Sequence, residues 1–202
     1  SLVALLAQAM QRTCSGQISD ITQRECAGLV QWQNIAKGKT APLLIAPIKG
    51  AAIAAGLGPD IFGLEHLVGL CAQAYQGRND IEDIIPSSHR SSDLDGRKPN
   101  LVVSLFAKKD TGCKDFLSWY ESEDSQQLGQ WQRRIAASEV IFEANELVDY
   151  WLLEADQLVI SLPRQLHIVT QSLVDAVKPK KEMKHQGLIA WHQKRLEPVK
   201  RW

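Results

Sequence analysis

The sequence predicts an all-α protein: a multi-helix bundle forming a single domain over residues 1–202. Three observations carry this expectation. Apolar residues recur at helical spacing along most of the chain, as in Ile61, Leu64, Val68, Cys71, Ala72 and Tyr75. No stretch of useful length alternates with the period of two that a half-buried strand requires, and there is no internal repeat. Finally, 202 residues, 45% hydrophobic and 23% charged, suffice for one substantial core.

Taken in order, residues 1–14 carry the stripe Leu2, Leu5, Leu6 and Met10. This helix opens abruptly, without a starting Met or a cap, so the chain is expected to begin partway into a larger helical protein. A second helix is expected from Ser19 or Asp20, both good N-caps, to about Ala36. "APLLIAPIKGAAIAAG" (41–56) is apolar all round and rich in small residues, which predicts a third, closely packed helix bent at Pro47. The fourth is expected from Asp60 to about Ile84. "PSSHRSSDLDGRKPN" reads as a polar loop of turn formers. Helices follow over 101–108, about 112–122 and about 126–160, the last as two helices or one kinked helix. A final helix runs from Pro163 to near Val177.

Composition narrows the function classes. Lys+Arg and Asp+Glu both number 23, so the chain has no net charge and gives no sign of a nucleic-acid partner. Cys14, Cys26, Cys71 and Cys113 are widely spread without a CxxC pair, which argues against a zinc site or disulfide scaffold and predicts a cytoplasmic protein. No apolar run approaches the about 18 residues of a membrane-spanning helix. Residues 179–202 form a basic tail in which Trp191 and Trp202 stand among Lys180, Lys181, Lys194 and Arg195. Such a tail suits peripheral contact with an anionic membrane surface, a solvated end, or packing on a partner subunit.

The acidic end of the fourth predicted helix, "QGRNDIED" (76–83), carries the chemistry. Continuing the apolar stripe of that helix by two turns leads to Asn79 and to Glu82 or Asp83, with Gln76 and Asp80 beside them. Asp80, Glu82 and Asp83 lie where the helix dipole disfavours negative charge by about 0.3–1 kcal/mol each, and Asp80 repels Asp83 across i,i+3. A bound Mg²⁺ would offset this, since it takes oxygen ligands and uses one or two carboxylates with substrate phosphates. A helix fraying into a solvated acidic turn is the other reading of the same residues.

Three further pieces stand in series with this one: "GQISD" (16–20), "GKTAPL" (38–43) and "DLDGRKPNL" (93–101). Together they resemble the trans-isoprenyl diphosphate synthases, the polyprenyl synthetase family, from its middle helices through its second aspartate-rich motif. The motif Gln-x-x-Asp-Asp-x-x-Asp is matched with Asn79 in place of the first Asp. The resemblance covers about residues 1–110 closely and implies an isoprenoid-synthase bundle. It also implies a Mg²⁺-dependent reaction in which an allylic diphosphate ionises to a carbocation that isopentenyl diphosphate attacks, usually in a dimer. Carried over by residue, it gives Asn79, Asp80 and Asp83 as the metal set. Gln17, Asp20, Lys39, Gln76, Arg90 and Lys98 (or Arg97) become the diphosphate-binding set. Lys39, Thr40 and Asp80 are then the catalytic residues, with Asp20 paired to Lys39.

Two departures from the family pattern bear on activity. The other aspartate-rich motif is missing, since "DLD" (93–95) and "ESED" (121–124) have the wrong spacing and position. Asn79 also removes one charge from the metal set. The leading expectation is condensation of an allylic diphosphate with isopentenyl diphosphate. The alternatives are prenyl transfer to a peptide or other acceptor, as in the enzymes that prenylate a bacterial competence pheromone, and a non-catalytic synthase subunit. A helical interaction domain without a diphosphate site is a fourth.

Overall fold

The computed structural model describes residues 2–23, 25–58, 61–85, 91–109, 113–122 and 124–178. Among them every regular element is a helix. In chain order these are α1 (Leu2–Thr22), α2 (Leu29–Ala54), α3 (Leu64–Ile84), α4 (Ser92–Asp95), α5 (Leu101–Ala107), α6 (Cys113–Glu121), α7 (Leu128–Ala136), α8 (Val140–Ser161) and α9 (Arg164–Val177). The all-α expectation holds, and so do the later boundaries, with 126–160 dividing into α7 and α8. The basic tail, 179–202, lies outside the described residues.

Three expectations on the first 100 residues are corrected. The two helices expected over 1–14 and 19–36 are one continuous α1 followed by an α2 that starts only at Leu29. Ser19 is no N-cap: it lies in the last turn of α1 and its hydroxyl bonds back to the Ser15 carbonyl. Next, α2 runs through Pro42 and Pro47, so the expected third helix is the second half of α2. Each proline removes one i→i−4 bond. Tertiary packing offsets this, because Ala46, Ile48 and Ala52 beyond the first proline are buried. Last, the polar loop after α3 contains the short α4, whose start is capped by Ser91 Oγ accepting from Leu94 N.

Chain punctuation has local causes. Ile85 is extended (φ −66, ψ 119), as the residue before Pro86 must tend to be, and α3 ends there. Leu162 before Pro163 is extended for the same reason, separating α8 from α9. Asn100 Oδ1 accepts from Val102 N and Val103 N and starts α5.

Helix α3 is the centre of the bundle, flanked by α2, α5, α8 and α9. Leu64, Leu67, Val68, Cys71, Ala72, Ala74 and Ile84 on it are almost wholly buried. Burial pushes the Cys71 thiol pKa up to about 12, so it is an inert core group. Close approach is bought by glycine: a Cβ on Gly77 would stand 2.9 Å from Val148 Cγ2 of α8 and 3.0 Å from Leu101 Cδ2 of α5. Trp32 of α2 stacks on Trp151 of α8, with ring centroids 5.7 Å apart. A second aromatic cluster, Phe106, Phe116, Trp119, Tyr120 and Trp131, joins α5, α6 and α7.

Candidate diphosphate site

The site begins at the crossing of α1 and α2. Gly16 packs so closely on the Gly38–Lys39 peptide that a Cβ there would collide with the Gly38 carbonyl carbon and the Lys39 nitrogen. This backbone contact sets Lys39 Nζ 2.9 Å from Asp20 Oδ1, one helical turn along α1. The pair is mostly shielded from solvent, with side chains 18% and 10% exposed. The next residue, Thr40, accepts a 2.9 Å bond from Gln76 Nε2 of α3. Asp20, Lys39, Thr40 and Gln76 are thus brought together from three helices. Gln17, expected with them, is exposed on α1.

The acidic end of α3 is arranged differently from expectation. Asp80 is 4% exposed and points into the bundle, where its Oδ2 accepts from Trp32 Nε1 (2.7 Å) and from the Leu101 backbone N (2.6 Å). Burial pushes its pKa up to about 8, opposed by the Leu101 amide, while Asp93 raises it further and Lys39 and Trp32 lower it. Asp83 turns to the start of α4. Its Oδ1 accepts from Ser92 N and Ser92 Oγ, both at 3.0 Å, and its Oδ2 from Ser91 Oγ and from Asp93 N at 3.3 Å. Asn79 and Glu82 are exposed, and so is Tyr75, placed on the inward stripe by sequence. The stripe drifts because the buried side of α3 is broad: with α2, α5, α8 and α9 around it, more than one narrow face is covered.

The residues expected to hold Mg²⁺ therefore do not fit it as a set. Mg²⁺ demands several oxygen lone pairs turned to one point in near-octahedral geometry. All four lone-pair directions of the Asp83 carboxylate are taken by donors of residues 91–93. Asp80 is 4% exposed and its Oδ2 is committed to α2 and α5, in surroundings that favour its neutral form, while Asn79 is exposed. Among the described residues no group of three His, Cys, Asp or Glu side chains is placed to hold a metal ion.

Asp93 is the acid that the sequence did not single out for this site. Burial raises its pKa, with Asp83 adding to the rise, while Asn100, Lys98 and Lys39 oppose it. Its Oδ1 lies 3.8 Å from Lys98 Nζ and its Oδ2 3.4 Å from Asn100 Nδ2. The signal was present in "DLDGRKPN", where Asp93 precedes Lys98 by five residues, but nothing in the sequence says that the segment folds back on α3. Lys98 is thus near the site, ion-paired. Arg97 is instead structural: its guanidinium donates to the carbonyls of Tyr120, Leu94 and Asp124 and lies 4.0 Å over the Trp119 ring. Arg90 lies outside the described residues. Two open surface grooves of about 880 and 720 Å³ flank α1 and α2, and neither is lined by Lys39 or Asp20.

Known proteins agree with this architecture. Residues 1–136 match the family model described as polyprenyl synthetase. No curated protein sequence matches the chain. Among solved structures, a decaprenyl diphosphate synthase from Rhodobacter capsulatus superposes with a TM-score of 0.71 at 18% identity, over 88% of this chain and 60% of that one. A geranylgeranyl pyrophosphate synthase from Lactobacillus brevis gives 0.69 at 23% identity, over 87% and 59%. An octaprenyl pyrophosphate synthase from Helicobacter pylori gives 0.67 at 19%, over 87% and 59%. The chain thus spans about three-fifths of the length of these structures, and at such identities the likeness shows the fold. With a family match over two-thirds of its residues and that fold throughout, the chain belongs to the polyprenyl synthetase family.

Proposed function

We propose that this chain carries the diphosphate-handling part of a prenyltransferase that joins an allylic diphosphate to isopentenyl diphosphate. The observation that supports this reading is the shielded Asp20–Lys39 pair beside the Gln76–Thr40 bond. In the reaction the allylic C–O bond breaks and its electron pair leaves with the diphosphate. The double bond of isopentenyl diphosphate attacks the cation, and the new cation loses a proton to the released diphosphate to restore a double bond. Lys39, fixed by Asp20, supplies positive charge where the leaving diphosphate gains negative charge. Gln76 holds the Thr40 oxygen from one side, so the hydroxyl hydrogen can be turned toward a diphosphate oxygen. Magnesium is the ion that suits diphosphate chemistry of this kind. Both oxygens of Asp83 and Oδ2 of Asp80 already accept hydrogen bonds. We further propose a cytoplasmic homodimer, to which the exposed Leu2, Val3, Leu6 and Met10 of α1 offer apolar surface.

The test is incubation of the full chain with geranyl or farnesyl diphosphate, isopentenyl diphosphate and Mg²⁺. A longer prenyl diphosphate is expected, and its formation should fall at least about tenfold in Lys39→Met, since removing a charged partner of a developing anion is worth 1.4 kcal/mol or more. An unchanged rate in that variant sinks the assignment of Lys39. A second reading, a non-catalytic synthase subunit, is favoured by the engaged carboxylates and the exposed neutral Asn79. It predicts no product, yet a higher Tm with pyrophosphate and Mg²⁺.

A further inference from the structure

Four side chains hold the segment 91–101 in place from two sides. From the α3 side, Asp83 gathers Ser91, Ser92 and Asp93, and Asp80 accepts the amide of Leu101. From the other side, Arg97 gathers the carbonyls of Leu94, Tyr120 and Asp124. Inside the segment, Asn100 donates to the Asp80 carbonyl and caps α5. Arg97 itself adopts φ 51°, the left-handed region that a non-glycine residue rarely enters, so its contacts hold the backbone in a form it would otherwise leave. Trp32 completes the set by donating to the same Asp80 oxygen that accepts from Leu101.

We infer that Asp80 and Asp83 are positioning residues, not cation ligands: they clasp the segment 91–101 against α3 and α2, and so fix Asp93 with its ion-paired Lys98. The donors decide this. Two amide N–H groups and two hydroxyls occupy both oxygens of Asp83, and an amide and an indole N–H occupy Oδ2 of Asp80; a lone pair that accepts a hydrogen bond is not open to a metal ion. Burial decides it for Asp80 again, because a carboxylate serving a cation must be ionised and reachable. The inference relies on the proposed function only for the identity of the site being served.

The experiment measures thermal unfolding of the full chain in EDTA without substrate. It compares Trp32→Phe, Asp80→Ala and their double variant, and separately Ser92→Ala, Asp83→Ala and their double variant. Each single change is expected to lower Tm by about 2–8 °C. Each double is expected to fall little below its worse single, because both changes remove the same bond. Amide hydrogen exchange is expected to quicken at Leu101 in Asp80→Ala, and at Ser92 and Asp93 in Asp83→Ala. A cation-ligand role predicts the opposite sign: in metal-free protein, removing one of several like charges relieves repulsion. A Tm that holds or rises in either aspartate-to-Ala variant, or additive cycles, overturns the inference. If an Ala variant of either aspartate does not fold, Ser92→Ala and Trp32→Phe decide by amide exchange: unchanged rates at Asp93 and at Leu101 overturn the inference. Absence of prenyl product would sink the proposed function and leave these measurements untouched.

Discussion

Replacing Gly16 by Ala couples the fold to the site in one methyl group. A Cβ there meets the Gly38 carbonyl carbon and the Lys39 nitrogen, backbone atoms that no rotamer change can move. Restoring an ordinary contact of about 3.5 Å requires the two helices to part by roughly 1 Å. Two effects oppose each other. Ala is favoured over Gly within a helix by about 1 kcal/mol, while overpacking a rigid contact costs about 1–3 kcal/mol. The contact is backbone on backbone, so the upper end applies and the net loss is about 1–2 kcal/mol. For a domain of this size that lowers Tm by about 2–8 °C. The same displacement draws Lys39 away from Asp20, whose bond is 2.9 Å, so pyrophosphate binding should weaken as well. Differential scanning calorimetry reads the first effect and titration calorimetry with pyrophosphate and Mg²⁺ the second. Gly58→Ala, where a Cβ meets nothing within 4 Å, is the control and should stay within about 0.5 kcal/mol of the parent. A Gly16→Ala protein as stable as the parent would refute the close-crossing account of the site.

Three other outcomes follow from particular residues. Lys39→Met should weaken pyrophosphate binding at least about tenfold while lowering Tm by only a few degrees, because a partly shielded ion pair adds at most about 1 kcal/mol to stability; titration calorimetry and melting separate the two. Asp80 is held above its ordinary pKa by burial, so the native state binds its proton more tightly than the unfolded chain does. Its contribution is full below the unfolded value near about 4 and is lost as pH rises toward about 8, so Tm should decline across that window and decline less in Asp80→Asn; a parent Tm that climbs from pH 5 to 8 with no difference in the variant contradicts this. Arg97→Gly frees a φ of 51° worth about 1–2 kcal/mol but removes three bonds to carbonyls and the stacking on Trp119, so urea unfolding should show a net loss of about 1–3 kcal/mol; a gain would mean that strain outweighs the contacts.

Helical periodicity determined much of this molecule without help. The all-α class, the helices from Leu101 to Val177 and the family motifs are legible because they depend on neighbours three or four residues apart. The pairing of Asp20 with Lys39 was legible through the family motifs that contain them. Tertiary structure decided what local rules could not. Pro42 and Pro47 stay inside α2 because the buried residues beyond them outweigh the missing bonds. Gly16 continues α1 because it faces the Gly38–Lys39 peptide of α2. The acids of "QGRNDIED" share one short stretch, yet they part in space. Asp80 goes to a tryptophan 48 positions earlier and an amide 21 positions later, while Asp83 goes to a turn 8 to 10 positions on. A sequence can say that carboxylates are close together along a helix. Which donors reach them first depends on which segments the core folds back upon that helix, and that is fixed only when the whole bundle packs.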